Sequence, residues 1–241
     1  MLAPTIFTMG NMACGFYSVL AASIGDFVVA GTAILAGIVF DMLDGRVARL
    51  VHGESSFGVE FDSLADFMNF GVAPGYMMYV LFLKDYGMPG TVIAFLYVLC
   101  GSMRLARFNA VAQEGRGSKS FFQGLPIPAA AGFLASFVLL YEIAEQSRPA
   151  RTLPFIMEFV PKIAGFAPAV MLVLGFLMIS NVPYAAFKQT NLLDRKHYRL
   201  LVAVVIGGVL LYLYPQNALF LLFFFYVISG FTRLINGDGE K

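Results

Sequence analysis

Four carboxylates lie close together in the sequence between residues 41 and 66, with long apolar stretches on both sides. Asp41 and Asp44 are three residues apart. Asp62 and Asp66 are four apart, so each pair shares one face if its segment is helical. Two such helices facing each other across a short turn would bring the four carboxylates together. Oxygen ligands without Cys or His suit Mg²⁺ or Mn²⁺ better than Zn²⁺, so the spacing predicts a divalent-cation site formed by these residues.

The residues that follow Asp44 leave room for a ligand. Gly45 and Ala48 carry little or no side chain, so a flat ligand could approach the backbone of this helix. Arg49 lies five residues after Asp44 and is placed to contact a phosphate group, which guanidinium groups bind through paired hydrogen bonds.

Carboxylates at helical spacing usually form a solvated surface, but the composition argues against that interpretation here. The chain is 59% hydrophobic and 13% charged, with a mean hydropathy of +0.77. A soluble protein of this length cannot bury so much apolar surface, so a polytopic membrane protein is predicted. An acid at the centre of a membrane helix costs about 2.5–3.5 kcal/mol, so acids within such spans indicate function. A net charge of +1 gives no reason to expect nucleic-acid binding.

Apolar segments of bilayer-spanning length predict an all-α integral membrane protein with about eight transmembrane helices. We expect residues 1–241 to form a single transmembrane domain, with the carboxylate pairs on helices 2 and 3. The segment 146–163 is predicted to be a solvated connector, and Pro74-Gly75 should kink the third helix. The predicted spans are 4–24, 27–51, 59–83, 90–111, 125–145, 164–186, 199–214 and 217–235, of which those within 199–235 are extra C-terminal helices.

The distribution of positive charge predicts the orientation. If helix 2 ends in the cytoplasm, twelve of the 16 Lys and Arg residues fall on that side and four on the other. Positive residues concentrate on the cytoplasmic side, so both termini and the carboxylates are predicted to face the cytoplasm of a multi-pass protein in the cell membrane. Cys14 and Cys100 lie inside apolar runs and are predicted to be unpaired core residues.

The spacing D-x2-D-G-x2-A-R-x8-G-x3-D-x3-D is matched in full over residues 41–66 and resembles the signature of the CDP-alcohol phosphotransferases. Enzymes of this family move a phosphatidyl-type group from a CDP-linked lipid to an alcohol and release CMP. The resemblance implies a core of six helices that carries the motif. It also implies that the last aspartate, Asp66, acts as the catalytic base and touches the metal. Family members commonly form dimers, so a homodimer is expected, although the sequence marks no interface.

The same resemblance implies which residues contact the CDP-linked lipid. Asn11 in helix 1 has two interpretations, a helix–helix hydrogen bond or a nucleotide contact, and the resemblance favours the second. Ser55 lies in the turn after helix 2 and could donate to a phosphate. The expected CDP-lipid contacts are Asn11, Gly45, Ala48, Arg49, Ser55 and Gly58.

A second stretch resembles the phosphatidylserine synthase branch of the family. The segments R-L-A-R-F-N at 104–109 and F-x-G-L-P-I-P-A-A-A-G at 122–132 carry this resemblance, which implies CDP-diacylglycerol and L-serine as substrates. Two guanidinium groups beside a metal site could hold a serine carboxylate or a phosphate. The residues expected to bind acceptor or phosphate are Arg104, Arg107 and Lys119.

The residues leave three alternative functions open. The same chemistry could use another acceptor, such as glycerol 3-phosphate or an inositol phosphate. A membrane prenyltransferase also uses Asp-rich motifs with Mg²⁺, but it gives no reason for the D-G-x2-A-R element. A cation-coupled transporter would place its acids near the bilayer midplane and show internally symmetric halves, and the sequence shows neither feature.

Overall fold

The first two helices pack along each other and present the first carboxylate pair. The computed structural model describes residues 2–51, 56–113, 121–145, 153–185 and 212–235. Helix α1 (Leu2–Ser23) and helix α2 (Phe27–Val51) form the most extensive helix pair in these residues. Gly25 in the connecting turn has a φ of 82°, a backbone conformation that residues with a Cβ rarely adopt. The Asp26 carboxylate then accepts a hydrogen bond from the backbone N–H of Val29 in the first turn of α2.

The third predicted span is helical throughout residues 56–86, but it is not a regular α-helix. The Pro74-Gly75 pair, where a kink is predicted, lies at the start of a short α-helical segment with π-helical stretches on both sides. A Cβ on Gly75 would lie 2.7 Å from Val98 Cγ2, so the missing side chain permits close helix packing here. The consecutive segments are α3 (Ser56–Asp66), a π-helix (Phe67–Val72), α4 (Ala73–Met78), a π-helix (Tyr79–Leu83) and a 3₁₀ turn (Lys84–Tyr86).

Helix α6 (Ile127–Glu145) is the central helix of the described bundle, whereas α5 (Met88–Gln113) packs mainly against the helix at Ala167–Ile179. In α6, 78% of the most apolar stretch of the helix is buried inside the protein, compared with 22–33% of the corresponding stretches in α1, α2 and α5. Its consecutive alanines at 129–131 and Gly132 let neighbouring helices approach closely, as membrane helix interfaces require. The other three long helices therefore leave most of their apolar surface for lipid.

Three helices and two strands complete the described structure, and they correct two predictions. The predicted connector 146–163 contains helix α7 (Pro154–Ala164), because Val160 is buried against α6 and the backbone N–H of Leu153 bonds to Asn217. The predicted span 164–186 ends early, because α8 (Ala167–Ile179) gives way to strand β2 (Pro183–Ala185). This strand pairs antiparallel with β1 (Phe121–Gln123). The last element is α9 (Pro215–Ile235).

The all-α membrane architecture predicted from the sequence is confirmed, with this short ladder as an addition. In the described part of the chain, four helices are long and apolar enough to cross a membrane, and two shorter apolar helices lie within α8 and α9. Most of the predicted span 199–214 lies outside the described residues. Both cysteines are free, as predicted. The chain is therefore a multi-pass membrane protein built around α6.

Candidate active site

Three of the four predicted carboxylates meet at one point. Asp41 lies on α2, while Asp62 and Asp66 lie one turn apart on α3. Each offers a carboxylate oxygen, and these three oxygens all lie within 4.8 Å of one another. The packing of α1 against both α2 and α3 holds the two helices in this relation. The group is an arrangement of oxygen ligands with the composition that a hard divalent cation requires.

Asp44 lies beside this group but is not one of its three members. Its side chain is buried and accepts a hydrogen bond from the hydroxyl of Thr8 on α1. It remains close enough to Asp41 and Asp62 to interact with both electrostatically. A residue three positions along an α-helix is rotated by about 60° from its partner. That rotation directs the Asp44 side chain towards α1 and away from the point where the other three carboxylates meet.

One oxygen of the group has no hydrogen-bond donor. Asp62 Oδ1 is buried, and nothing in the described part of the chain donates to it. A buried carboxylate oxygen without a donor is costly, so such an atom calls for an explanation. A cation shared with Asp41 and Asp66 would satisfy it, and the site therefore fits a bound metal ion.

Two asparagines connect the group to α1. Asn11 Nδ2 donates to Asp66 Oδ1 at 2.9 Å, so Asn11 reaches the carboxylates. Asn69 Nδ2 in turn donates to Asn11 Oδ1 at 2.7 Å. Asn69 was not singled out from the sequence, although it follows Asp62 and Asp66 at helical spacing. That spacing was the available signal.

The helix surface at Gly45 is open. A Cβ placed on Gly45 would meet no heavy atom of the described residues within 4 Å, so space is left beside α2 at this position. Gly58 is half-buried on α3. The backbones of Ala48 and Arg49 continue α2, and Ser55 and Lys119 lie outside the described residues.

The two arginines of α5 have different surroundings. Arg104 is buried, lies over the Phe108 ring at 5.8 Å from its centroid, and interacts electrostatically with Asp66. Its Nε has no partner among the described side chains and backbone. Arg107 instead donates to Gln123 Oε1 at 2.6 Å and Asn181 Oδ1 at 2.7 Å. Arg104 thus belongs to the carboxylate site, whereas Arg107 ties α5 to the β-ladder.

Sequence comparisons with known proteins identify the family of the chain. A profile of the CDP-alcohol phosphatidyltransferase family matches residues 1–180. A CDP-diacylglycerol–serine O-phosphatidyltransferase of Helicobacter pylori is 36% identical over 237 residues, which cover 97% of this chain and 91% of the relative. A protein of the same name from Methanocaldococcus jannaschii is 31% identical over 96% of this chain and 93% of its own.

An archaetidylserine synthase of Methanothermobacter thermautotrophicus is also similar, at 34% identity over 186 residues. The match covers 75% of this chain and 68% of that relative. The matched residues 1–180 include helices α1 to α8 and every site residue described above. The chain belongs to the CDP-alcohol phosphatidyltransferase family.

Proposed function

We propose that this chain transfers the phosphatidyl group of CDP-diacylglycerol to the hydroxyl of L-serine, giving phosphatidylserine and CMP. The observation that carries the proposal is the meeting of three carboxylates beside a buried arginine. Nearly full-length relatives named as serine O-phosphatidyltransferases support the choice of acceptor.

The carboxylate group is proposed to hold Mg²⁺ or Mn²⁺. Asp41, Asp62 and Asp66 would be ligands, and Asp44, held by Thr8, would complete the set. A bound cation would neutralise charge on the diphosphate and on the departing CMP. The buried Asp62 oxygen without a donor is the observation that supports this assignment.

The chain's own residues account for proton transfer and orientation. Asn11 donates to one oxygen of Asp66, which leaves the other to take the proton of the serine hydroxyl. The serine oxygen then bonds to the phosphorus nearer the lipid, and the bond between that phosphorus and the oxygen of CMP breaks. Arg104 would hold the serine carboxylate, because its guanidinium interacts electrostatically with Asp66 and its buried Nε has no partner among the described residues.

The remaining predicted contacts concern the CDP-lipid. The cytidine end would lie against α2 at Gly45 and Ala48, where the surface at Gly45 is open. Arg49 and Ser55 would contact phosphate, with the diacylglycerol tails in the bilayer beside α2 and α3. The charge distribution supports an active site on the cytoplasmic face, where nucleotide-linked substrates are made.

Purified protein with Mn²⁺ or Mg²⁺ is expected to release CMP from CDP-diacylglycerol only when L-serine is present. Glycerol 3-phosphate and inositol phosphate serve as competing acceptors in parallel reactions. An Arg104→Gln variant should raise the KM for L-serine more than the KM for CDP-diacylglycerol. Release that depends on a different acceptor would retain the chemistry and overturn the assignment of serine. Folded protein that binds Mn²⁺ but accepts none of these alcohols would contradict the transferase proposal.

Gly45→Ala is expected to weaken CDP-diacylglycerol binding without weakening the fold. The added methyl meets no atom of the described residues within 4 Å and enters the space proposed for the substrate. We expect the KM for CDP-diacylglycerol to rise about 10-fold, equivalent to about 1.4 kcal/mol, with an unchanged or higher melting temperature because Ala favours helix. Gly165→Ala is the matched control, since its Cβ also meets open space but lies at the end of α7. An unchanged KM in Gly45→Ala would exclude this surface as the substrate site.

A further inference from the structure

A chain of two side-chain amides runs from the protein interior to the proposed catalytic carboxylate. Asn69 Nδ2 lies 2.7 Å from Asn11 Oδ1, and Asn11 Nδ2 lies 2.9 Å from Asp66 Oδ1. Both asparagines are fully buried, with 0% of their surface exposed. Among the described residues, the hydrogen bonds of Asn69 reach Asp66 through Asn11.

The direction of these hydrogen bonds is fixed by the carboxylate. An ionised Asp66 can only accept, so Asn11 must present its NH₂ group to it. The carbonyl of Asn11 then faces Asn69 and needs a donor, and the amide of Asn69 is the donor that the described residues supply. Asn69 Oδ1 is left buried without a donor in this part of the structure. If Asn69 served only to join helices, we would expect both its NH₂ group and its carbonyl oxygen to be hydrogen-bonded.

Glycines on two neighbouring helices provide the space that the Asn69 side chain occupies. A Cβ on Gly37 of α2 would fall well inside van der Waals contact of Asn69 Nδ2 and lie 2.7 Å from its Cγ. A Cβ on Gly15 of α1 would lie 2.6 Å from the Asn69 Cα. Two glycines from different helices thus enclose Asn69.

The local backbone at Asn69 departs from the α-helix. Asn69 lies within the π-helical stretch Phe67–Val72, which begins immediately after Asp66. Short π-helical stretches within helices are frequent at functional sites, where the extra residue per turn changes the direction of nearby side chains.

We propose that Asn69 is a positioning residue that fixes the Asp66 carboxylate through Asn11, and that Gly37 provides the space this amide requires. The proposal rests on the function proposed above for Asp66. A rotatable carboxylate would have several orientations. Two successive hydrogen bonds to a fully buried amide restrict Asp66 to one of them, so one oxygen stays directed towards the acceptor.

The test is a double-mutant cycle between Asn69 and Gly37. Asn69→Ala and Gly37→Ala should each lower kcat about 10- to 100-fold, as loss of a residue that orients a metal ligand does, with the KM for CDP-diacylglycerol within about 2-fold. The double variant should be no slower than the slower single variant, because the methyl at position 37 fills space that the amide has left. Asn69→Leu, which restores bulk without a donor, should remain as slow as Asn69→Ala.

Two further measurements separate positioning from stability. Ser18→Ala, a buried position two turns after Asn11 on α1, should keep wild-type kcat, because its hydroxyl has no partner in the described structure. Mn²⁺ affinity, measured by electron paramagnetic resonance of free Mn²⁺, should weaken in both single variants and no further in the double variant. This binding cycle needs no substrate, so it also decides the proposal if serine-dependent CMP release fails in the wild type.

Specific outcomes would overturn the proposal. Restored kcat in Asn69→Leu would show that Asn69 acts by filling space. Multiplicative losses in the double variant would show that Gly37 and Asn69 act independently. Lower melting temperatures with unchanged kcat and Mn²⁺ affinity would assign Asn69 to helix packing alone.

Discussion

Asp66→Asn is expected to lower serine-dependent CMP release by about 10²- to 10⁴-fold, the usual contribution of a positioned general base. The variant retains an oxygen that can accept the hydrogen bond from Asn11, so the α1–α3 contact and the melting temperature should be preserved. An amide cannot take the proton of the serine hydroxyl. Initial rates of CMP formation at saturating CDP-diacylglycerol, serine and Mn²⁺ provide the measurement.

Asp85→Asn is the matched control for this substitution. Asp85 is exposed in the 3₁₀ turn Lys84–Tyr86, so its variant should retain the wild-type rate. A rate within a few-fold of wild type in Asp66→Asn would rule out Asp66 as the base and would direct attention to the other carboxylates of the site.

Asp62→Asn is expected to change metal binding and metal-free stability in opposite directions. The substitution removes the negative charge of the carboxylate whose buried Oδ1 has no donor among the described residues. Mn²⁺ affinity should therefore fall at least about 100-fold, whereas loss of a residue that only hydrogen-bonds a metal ligand typically lowers it about 10- to 100-fold. Without metal, the three neighbouring carboxylates repel one another. Neutralising one should therefore raise the melting temperature in EDTA by about 2–4 °C for each 1 kcal/mol of repulsion relieved.

The comparison requires melting curves with EDTA and with Mn²⁺ for each protein. Wild type should gain stability from Mn²⁺, because the cation binds the folded state, and Asp62→Asn should gain little. Glu60→Gln is the matched control, since Glu60 is exposed two residues earlier on α3 and should behave as wild type in both conditions. If Asp62→Asn kept the full Mn²⁺-dependent gain, Asp62 would not be a metal ligand.

The fold class could be predicted from the sequence because membrane spans depend on local composition. Long apolar runs must satisfy their backbone hydrogen bonds within the helix, so length and hydropathy alone predict α1, α2, α5 and α6. The boundaries of α7 and α8 were harder to predict from the sequence. Val160 is buried against α6, and the chain after Ile179 pairs with β1, so distant residues determine both.

The proximity of Asp41, Asp62 and Asp66 was also predictable, because helical spacing and a short turn between two helices bring these positions together. The resemblance to a family motif added their proposed roles. By itself, the sequence therefore determined the membrane architecture, the local helical faces and the types of ligand at the site.

Only the tertiary structure decided how side chains pair between helices. It placed Asp44 against Thr8, separated Arg104 at the carboxylates from Arg107 at the β-ladder, and connected Asn69 to Asp66 through Asn11. Spacing along a chain specifies the face of one helix, but hydrogen bonds between helices also depend on their rotation and separation. Those quantities follow from the packing of the whole bundle, including glycines such as Gly37 that set how closely two helices approach.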